Sequence, residues 1–413
     1  MKLPGVHGRR GSTESDISDI SCDEPGPLPN LLGDASVDAP SWDGPLGRED
    51  FEVLELLGIG GFGEVKLVQH KLNKELYAMK GVEKLSLFER KNVGDHHATA
   101  RAKVERDVGI EARKWKCPFL VQLFATFQTE EKLYYVFEYC AGGELFDLVR
   151  AQPHGRIAED AAKFYLSELV LGLEFLHTNG IVHRDVRLEN VLLDKEGHVK
   201  LGDFGGARLG LNDVGGHKQG EGIRASYVVE YGQGTSEVLY PPEYIQGGTF
   251  GKDLDCWQLG VALYSMLIGR LPTPPPRSFS DPSEQRGTWP GPFEKGSSSA
   301  SDLIRQLMGP WRHQRLGYPD GAGLLKAHKF FEAKPSLSAH WQKAAERQLA
   351  PPKLAVPDAK AKRKTTRWAR PTVPSWDAFN LKRLSGFSFV SSALMRPSVR
   401  SNGSVLSTSG PPH

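Results

Sequence analysis

The chain has 413 residues, a formal net charge of +2 and 39% apolar residues, which allows two lobes or domains with a sizeable core plus tails. Its four cysteines (Cys22, Cys117, Cys140 and Cys256) lie far apart with no C-x-x-C or metal-ligand spacing, so a disulfide scaffold or cysteine zinc site is excluded and reduced, intracellular thiols are expected. No apolar run reaches membrane-spanning length and the first residues lack a signal-peptide core, so a cytoplasmic or nuclear location is expected.

In chain order, residues 1–48 are rich in Ser, Asp, Pro and Gly and lack periodicity. Ten acidic residues stand against four basic ones up to Asp50, so the stretch reads as a disordered acidic extension. From there "DFEVLELLGIGGFGEVKLVQH" reads strand, glycine turn, strand, and "ELYAMKGV" a third strand. "DHHATARAKVERDVGIEARKWK" has helical composition with a weak apolar stripe, and "FLVQLFATFQT" and "KLYYVFEYC" are two further strands. After "AGG" the pattern turns helical, with "ELFDLVRA", "EDAAKFYLSELVLGLEFLHTNG", "DLDCWQLGVALYSMLIG" and "ASDLIRQLMG". Strands followed by helices predict an α+β, two-lobed enzyme, and a cleft between lobes is a natural cofactor site. "LPTPPPRSFSDP" and "APPKLAVPDAKAKRK" read as irregular. The basic run "KAKRKTTRWAR" reads as a solvated linker, with the folded domain, an anionic membrane or nucleic acid as alternative contacts.

Four short motifs carry the chemistry. "GIGGFGEV" places Gly58, Gly60 and Gly63 where a backbone must turn tightly and approach phosphate oxygens without a Cβ. Dinucleotide folds use the same three glycines, but here they join two strands and open no helix, which favours a flap over a nucleotide. Lys80 follows on the next strand, seventeen residues after Gly63, within reach of phosphates and in need of a carboxylate to hold it. "HRDVRLEN" and "LGDFGG" then supply Asp185, Asn190 and Asp203, the residue types needed as acceptor-orienting base and magnesium ligands. Each alone has a bland structural reading; the ordered set does not.

From Phe51 to Phe331 these motifs resemble the eukaryotic protein kinases, whose bilobal fold has a β-rich N-lobe and a helical C-lobe. The resemblance implies ATP and Mg2+. The flap Leu57, Gly58, Ile59, Gly60, Gly61, Phe62, Gly63, Glu64 and Val65 would cover ATP, with Ala78, Glu138, Cys140, Glu144 and Leu192 completing its pocket. Lys80 would bind phosphates, Asp185 would be the base, Arg187 (where most Ser/Thr kinases carry Lys) would stabilise the transferring phosphate, and Asn190 and Asp203 would hold the metal. Phe137 would be the gatekeeper, Asp255 the anchor of the catalytic loop, and Glu243 and Arg315 a buried ion pair.

"CPFLVQLFATFQT", "LYYVFEYCAGGELFDLV" and "HKFFEAK" resemble the AGC group, relatives of the cyclic-nucleotide-dependent kinases. Residues 332–413 then read as an AGC-type tail: "APPKLAVP" is similar to its proline-rich tether, and "LSGFSFV" to its hydrophobic motif with Leu384 in place of the first Phe. Phe387 and Phe389 would dock in a groove of the small lobe, with Ser388 modifiable. Glu144 and Glu189 would line the site for an arginine three residues before the acceptor, and Ser265 takes the place of a third acidic residue. The resemblance therefore implies protein substrates with basic residues before the acceptor Ser or Thr, and an upstream kinase or regulatory subunit as partner. Neither specific nucleic-acid binding nor a membrane span is expected. Ser12 in "RRGST" and Ser385 in "KRLSG" would suit self-phosphorylation.

Two places depart from the pattern. Glu105 is the best candidate partner for Lys80, with Glu111 as runner-up, and Gly109 one turn later should weaken the helix by up to about 1 kcal/mol and remove a packing contact. The segment from Asp203 to Glu243 is long and glycine-rich; it retains Thr235, with Tyr231, Ser226 or Ser236 as candidate phosphate carriers for Arg184. These departures sustain a rival reading, a nucleotide-binding scaffold without transfer.

Overall fold

The computed structural model describes residues 46–60, 63–85, 87, 98–210, 223–224, 237–246, 249–273, 296–333, 335–355 and 387–390, all within the unit Asp38–His413. Expectations for residues 1–45, Cys22, Gly61, Phe62, Leu384, the basic run, the retained Thr235 and the candidate phosphate carriers Ser12, Ser226, Tyr231, Ser236 and Ser385 lie outside the described residues.

The sheet-forming region runs β1 (Phe51–Gly60), β2 (Gly63–His70), β3 (Leu76–Glu83), α1 (Ala98–Lys114), β4 (Leu123–Gln128) and β5 (Lys132–Glu138). The helical region adds β6 (Gly143–Glu144), α2 (Leu145–Arg150), α3 (Glu159–Thr178), β7 (Val191–Leu193), β8 (Val199–Leu201), β9 (Ile223–Arg224), α4 (Pro242–Ile245), β10 (Thr249–Phe250), α5 (Asp253–Ile268), α6 (Ser298–Leu307), α7 (Leu337–Ala345) and a returning strand β11 (Phe389–Val390). This is the α+β, two-lobed architecture expected from the sequence. The antiparallel sheet has the order β1-β2-β3-β5-β4-β11.

Period-two alternation explains how β3 serves two faces. Tyr77, Met79 and Gly81 are buried on one side, while Ala78 and Lys80 share the other. Pairing places Val65 opposite Lys80, and Ala78 opposite Phe137 near the end of β5. Gly63 is demanded by packing: a Cβ there would lie 1.8 Å from the Gly81 carbonyl oxygen of β3. At Gly58 an added Cβ would meet no atom within 4 Å. Gly63→Ala should therefore destabilise the small lobe by about 1–3 kcal/mol or more, seen as a lower Tm. Gly58→Ala should leave Tm unchanged and show itself only in a raised KM for ATP.

The buried stripe of α1 is Ala102, Glu105, Val108, Gly109 and Ala112, at helical spacing but made of small residues and a carboxylate. The expected loss of a packing contact at Gly109 is corrected: a Cβ there would fall 2.8 Å from the Leu123 Cβ, so glycine lets α1 approach β4 closely. Phe387 is fully buried in the cluster of Leu87, Ala102, Leu123, Leu133 and Tyr135, its ring 5.3 Å from that of Tyr135 and edge-on to it. The Tyr135 hydroxyl donates to the Ala102 carbonyl of α1 at 2.9 Å, so the tail phenylalanine, β5 and α1 form one packed unit.

In the helical lobe α5 is buried nearly all round. Its buried Asp253, Asp255 and Gln258 survive burial because each is bonded: Asp253 accepts two bonds from Arg312, at 2.9 Å each. The sequence reading had no counterpart for α7, which is capped by Ser336 and buries His340, Trp341 and Ala344. Among the described residues no helix is long and apolar enough to cross a membrane, and the described thiols Cys117, Cys140 and Cys256 are free and buried.

Candidate active site

Residues far apart in the chain converge where the lobes face each other. Lys80 Nζ donates to Glu105 Oε1 at 2.7 Å and to Asp203 Oδ1 at 3.2 Å. Glu105, not Glu111, is thus the partner; Glu111 accepts from the Trp115 indole at 3.2 Å. Burial opposes the Lys80 charge, but Asp203 and Glu105 together outweigh it and push its pKa up. The Glu105 carboxyl is itself raised by burial, which Lys80 only partly relieves, whereas half-exposed Asp203 is held low chiefly by the Lys80 charge. A cavity of about 30 Å³ adjoins these three side chains, Tyr135 and Gly205.

Asp185 and Asp203 sit at the two ends of the β7–β8 hairpin. Gly202 N donates to the Asn190 carbonyl at 2.9 Å and ties the ends together. Asn190 Nδ2 donates to the Asp185 carbonyl at 2.8 Å and to Asp185 Oδ2 at 2.7 Å, which leaves its Oδ1 as an oxygen donor. Asp203 adopts a left-handed backbone (φ 58°), as does Arg184 (φ 69°), a conformation unusual for residues other than glycine and held only where surroundings enforce it. The Phe204 ring is buried 5.4 Å from that of His183, and the turn that it opens contacts α1.

The loop before Asp185 hangs from α5. Fully buried Asp255 accepts from the backbone N–H groups of His183 at 2.8 Å and Arg184 at 2.7 Å and pairs with His177 Nε2 at 2.8 Å. Gln258, one turn on and absent from the sequence reading, accepts from Val186 N at 2.8 Å and donates to the Arg184 carbonyl at 2.9 Å. Its i,i+3 spacing from Asp255 on a helix was the available signal. The Arg184 guanidinium donates to the Tyr244 hydroxyl at 2.8 Å and lies over the Phe250 ring. Buried Arg315 is bidentate to Glu243, with NH2 to Oε2 at 2.8 Å.

Burial raises the Asp185 carboxyl above the usual aspartate range; Arg187 and His183 pull it down, and Asp203 raises it further. Arg187 makes its hydrogen bonds to Glu189, through Nε at 3.0 Å and NH2 at 2.6 Å. At the end of β5, Glu138 is anchored at both oxygens, by Gln122 N at 2.9 Å and by Lys200 Nζ at 3.0 Å. The Cys140 thiol beside it is pushed well up by burial and by Glu138. Glu64 pairs with Lys66 at 2.6 Å. Leu57, exposed on β1, and Leu192, half-buried on β7 opposite Glu144, come from the two lobes.

Comparison with known proteins agrees with this arrangement. The protein kinase domain family matches residues 51–331. "Protein kinase 3" of Dictyostelium discoideum is 37% identical over 306 residues, covering 74% of this chain and 31% of that protein. "Protein kinase C-like 1" of Caenorhabditis elegans is 35% identical over 317 residues, or 75% of this chain and 41% of that protein. "RAC-beta serine/threonine-protein kinase A" of Xenopus laevis is 37% identical over 308 residues, 73% of this chain and 57% of that protein. The chain thus spans between about a third and somewhat over half the length of these relatives. With a closed Lys80–Glu105 pair, Asp203 against the same amine and a catalytic-type loop hung from α5, the chain belongs to the eukaryotic protein kinase family, within its AGC group of serine/threonine kinases.

Proposed function

We propose that the chain transfers the γ-phosphate of ATP to Ser or Thr of protein substrates that carry a basic residue before the acceptor. The observation that supports this best is the Lys80 contact with both Glu105 and Asp203, at 2.7 and 3.2 Å, which joins the two lobes at one amine. Lys80 would hold the α- and β-phosphates beneath the strand pair β1–β2, and Asp185 would accept the hydroxyl proton. Glu144, at the start of α2, is the carboxylate proposed to read the basic residue.

Among the described residues no cluster of three or more His, Cys, Asp or Glu side chains could cage a metal ion. Asp203 and the Asn190 amide oxygen are hard donors of the kind that Mg2+ uses alongside water and phosphate, so the pair fits that ion. Bound there, Mg2+ would neutralise phosphate charge during transfer.

The test is radiolabelled phosphate transfer to a basic peptide by the wild type, Asp185→Asn and Lys80→Met. Transfer by the wild type alone supports the reading; binding of nucleotide without any transfer would make the chain a scaffold, and equal signal from all three a contaminant. Because Asp185 must be ionised to accept a proton and its pKa is raised, the acid limb of the kcat/KM profile should lie above the ordinary aspartate value of about 3.9. Activity falls as pH drops through that limb. Arg187→Gln removes a cation that favours the carboxylate and should move the limb to higher pH.

A further inference from the structure

A cavity of about 450 Å³ opens beside the catalytic loop, between α2 and α5. Phe146, Val149, Leu239 and Val261 give it an apolar wall, and Ser265 stands where a third carboxylate was expected. The charged residues that line it, among those described, are Arg150, Arg187, Arg270 and Glu189. The single carboxylate is occupied: Arg187 Nε donates to Glu189 Oε2 at 3.0 Å and NH2 to Oε1 at 2.6 Å. Two parallel bonds of this kind are the strongest arrangement open to the pair, and a lysine cannot reproduce them. A guanidinium and a carboxylate held this closely cancel one another's charge.

A substrate guanidinium entering this cavity would have to displace Arg187 from Glu189 while facing the like charges of Arg150 and Arg270. An apolar side chain meets no such cost and gains by covering the wall. Arg150 is held at the rim of that wall, its guanidinium over the Phe146 ring, 5.7 Å from the centroid. We propose that Arg187 is a specificity-determining residue: by holding Glu189 it makes this cavity take an apolar residue flanking the acceptor, in place of a second arginine. The inference rests on the protein-kinase reading above.

The test is a positional scan of Ser peptides with the full chain, varying each of the five residues before and three after the acceptor. One flanking position should prefer Leu or Met over Arg by roughly 10-fold or more, the discrimination usual for an apolar pocket. Glu189→Gln should keep or raise that ratio, because it leaves the Arg187 charge uncompensated in the cavity. Arg187→Lys should free the carboxylate and raise Arg acceptance there roughly 10-fold, and Ser265→Glu should do the same by supplying a new one. Only ratios between peptides are compared, so a general loss of rate does not enter. Selection of Arg or of an acidic residue at that position, or an Arg preference that collapses in Glu189→Gln, would overturn the assignment. The same peptides with Ala at the acceptor are titrated by fluorescence anisotropy. Selective binding of Leu or Met peptides without transfer would overturn the kinase activity and leave the cavity assignment standing; transfer without apolar selection would do the reverse.

Discussion

The Asp185→Asn protein should transfer phosphate about 10²–10⁴-fold more slowly than the wild type, the usual worth of a positioned general base. The amide keeps the size of the carboxylate but cannot take a proton. Its surroundings stay in place, because the loop is held by Asp255 and Gln258 through backbone groups that the substitution does not touch. The Lys80 contacts to Glu105 and Asp203 are likewise unaltered, so KM for ATP should change little. Steady-state kinetics separates the two parameters. A variant with near-normal kcat would show that Asp185 is not the base.

The second large effect is expected at Phe387→Ala. Emptying a fully buried phenylalanine site costs about 3–5 kcal/mol, which is more than 100-fold in an equilibrium constant. Only the short tail strand has to leave, so the loss is confined to tail docking and does not unfold the domain. The groove left behind is lined by Ala102 of α1 and by Tyr135, which also holds α1 through the Ala102 carbonyl. α1 carries Glu105, so the change should appear as faster hydrogen exchange along α1 and a fall in kcat. The helical lobe should keep its exchange pattern. Unchanged exchange in α1 would show that the helix is held without the tail.

Local patterns were legible wherever the chemistry lies along a continuous stretch. The glycine flap, Lys80, Asp185, Asn190 and Asp203 occupy ordered motifs, and the strands and long helices follow their periods. The partner of Lys80 stayed open between Glu105 and Glu111 because the buried stripe of α1 consists of Val108, two alanines, a glycine and Glu105 itself, which weakens the apolar period. Gly109 was misjudged for a related reason: its worth lies in how near Leu123 comes, a distance between elements that no local pattern encodes. The α7 helix was missed because so little of it is apolar and buried. The Arg187–Glu189 pair sits in an irregular loop, where a spacing of two residues has no fixed geometry. Lys200 and Glu138 meet only because β8 bonds through Leu201 to Phe119 and Val121 just ahead of β4.

The returning strand should bear on self-association as well as on the setting of α1. Phe389 and Val390 pair with Thr126 and Ala125 and so cover the outer rim of β4. Were that rim bared, its amides and carbonyls would offer a template for a strand from another molecule. Proteins that lose the tail should thus self-associate more readily as concentration rises, through the same rim that the tail normally covers.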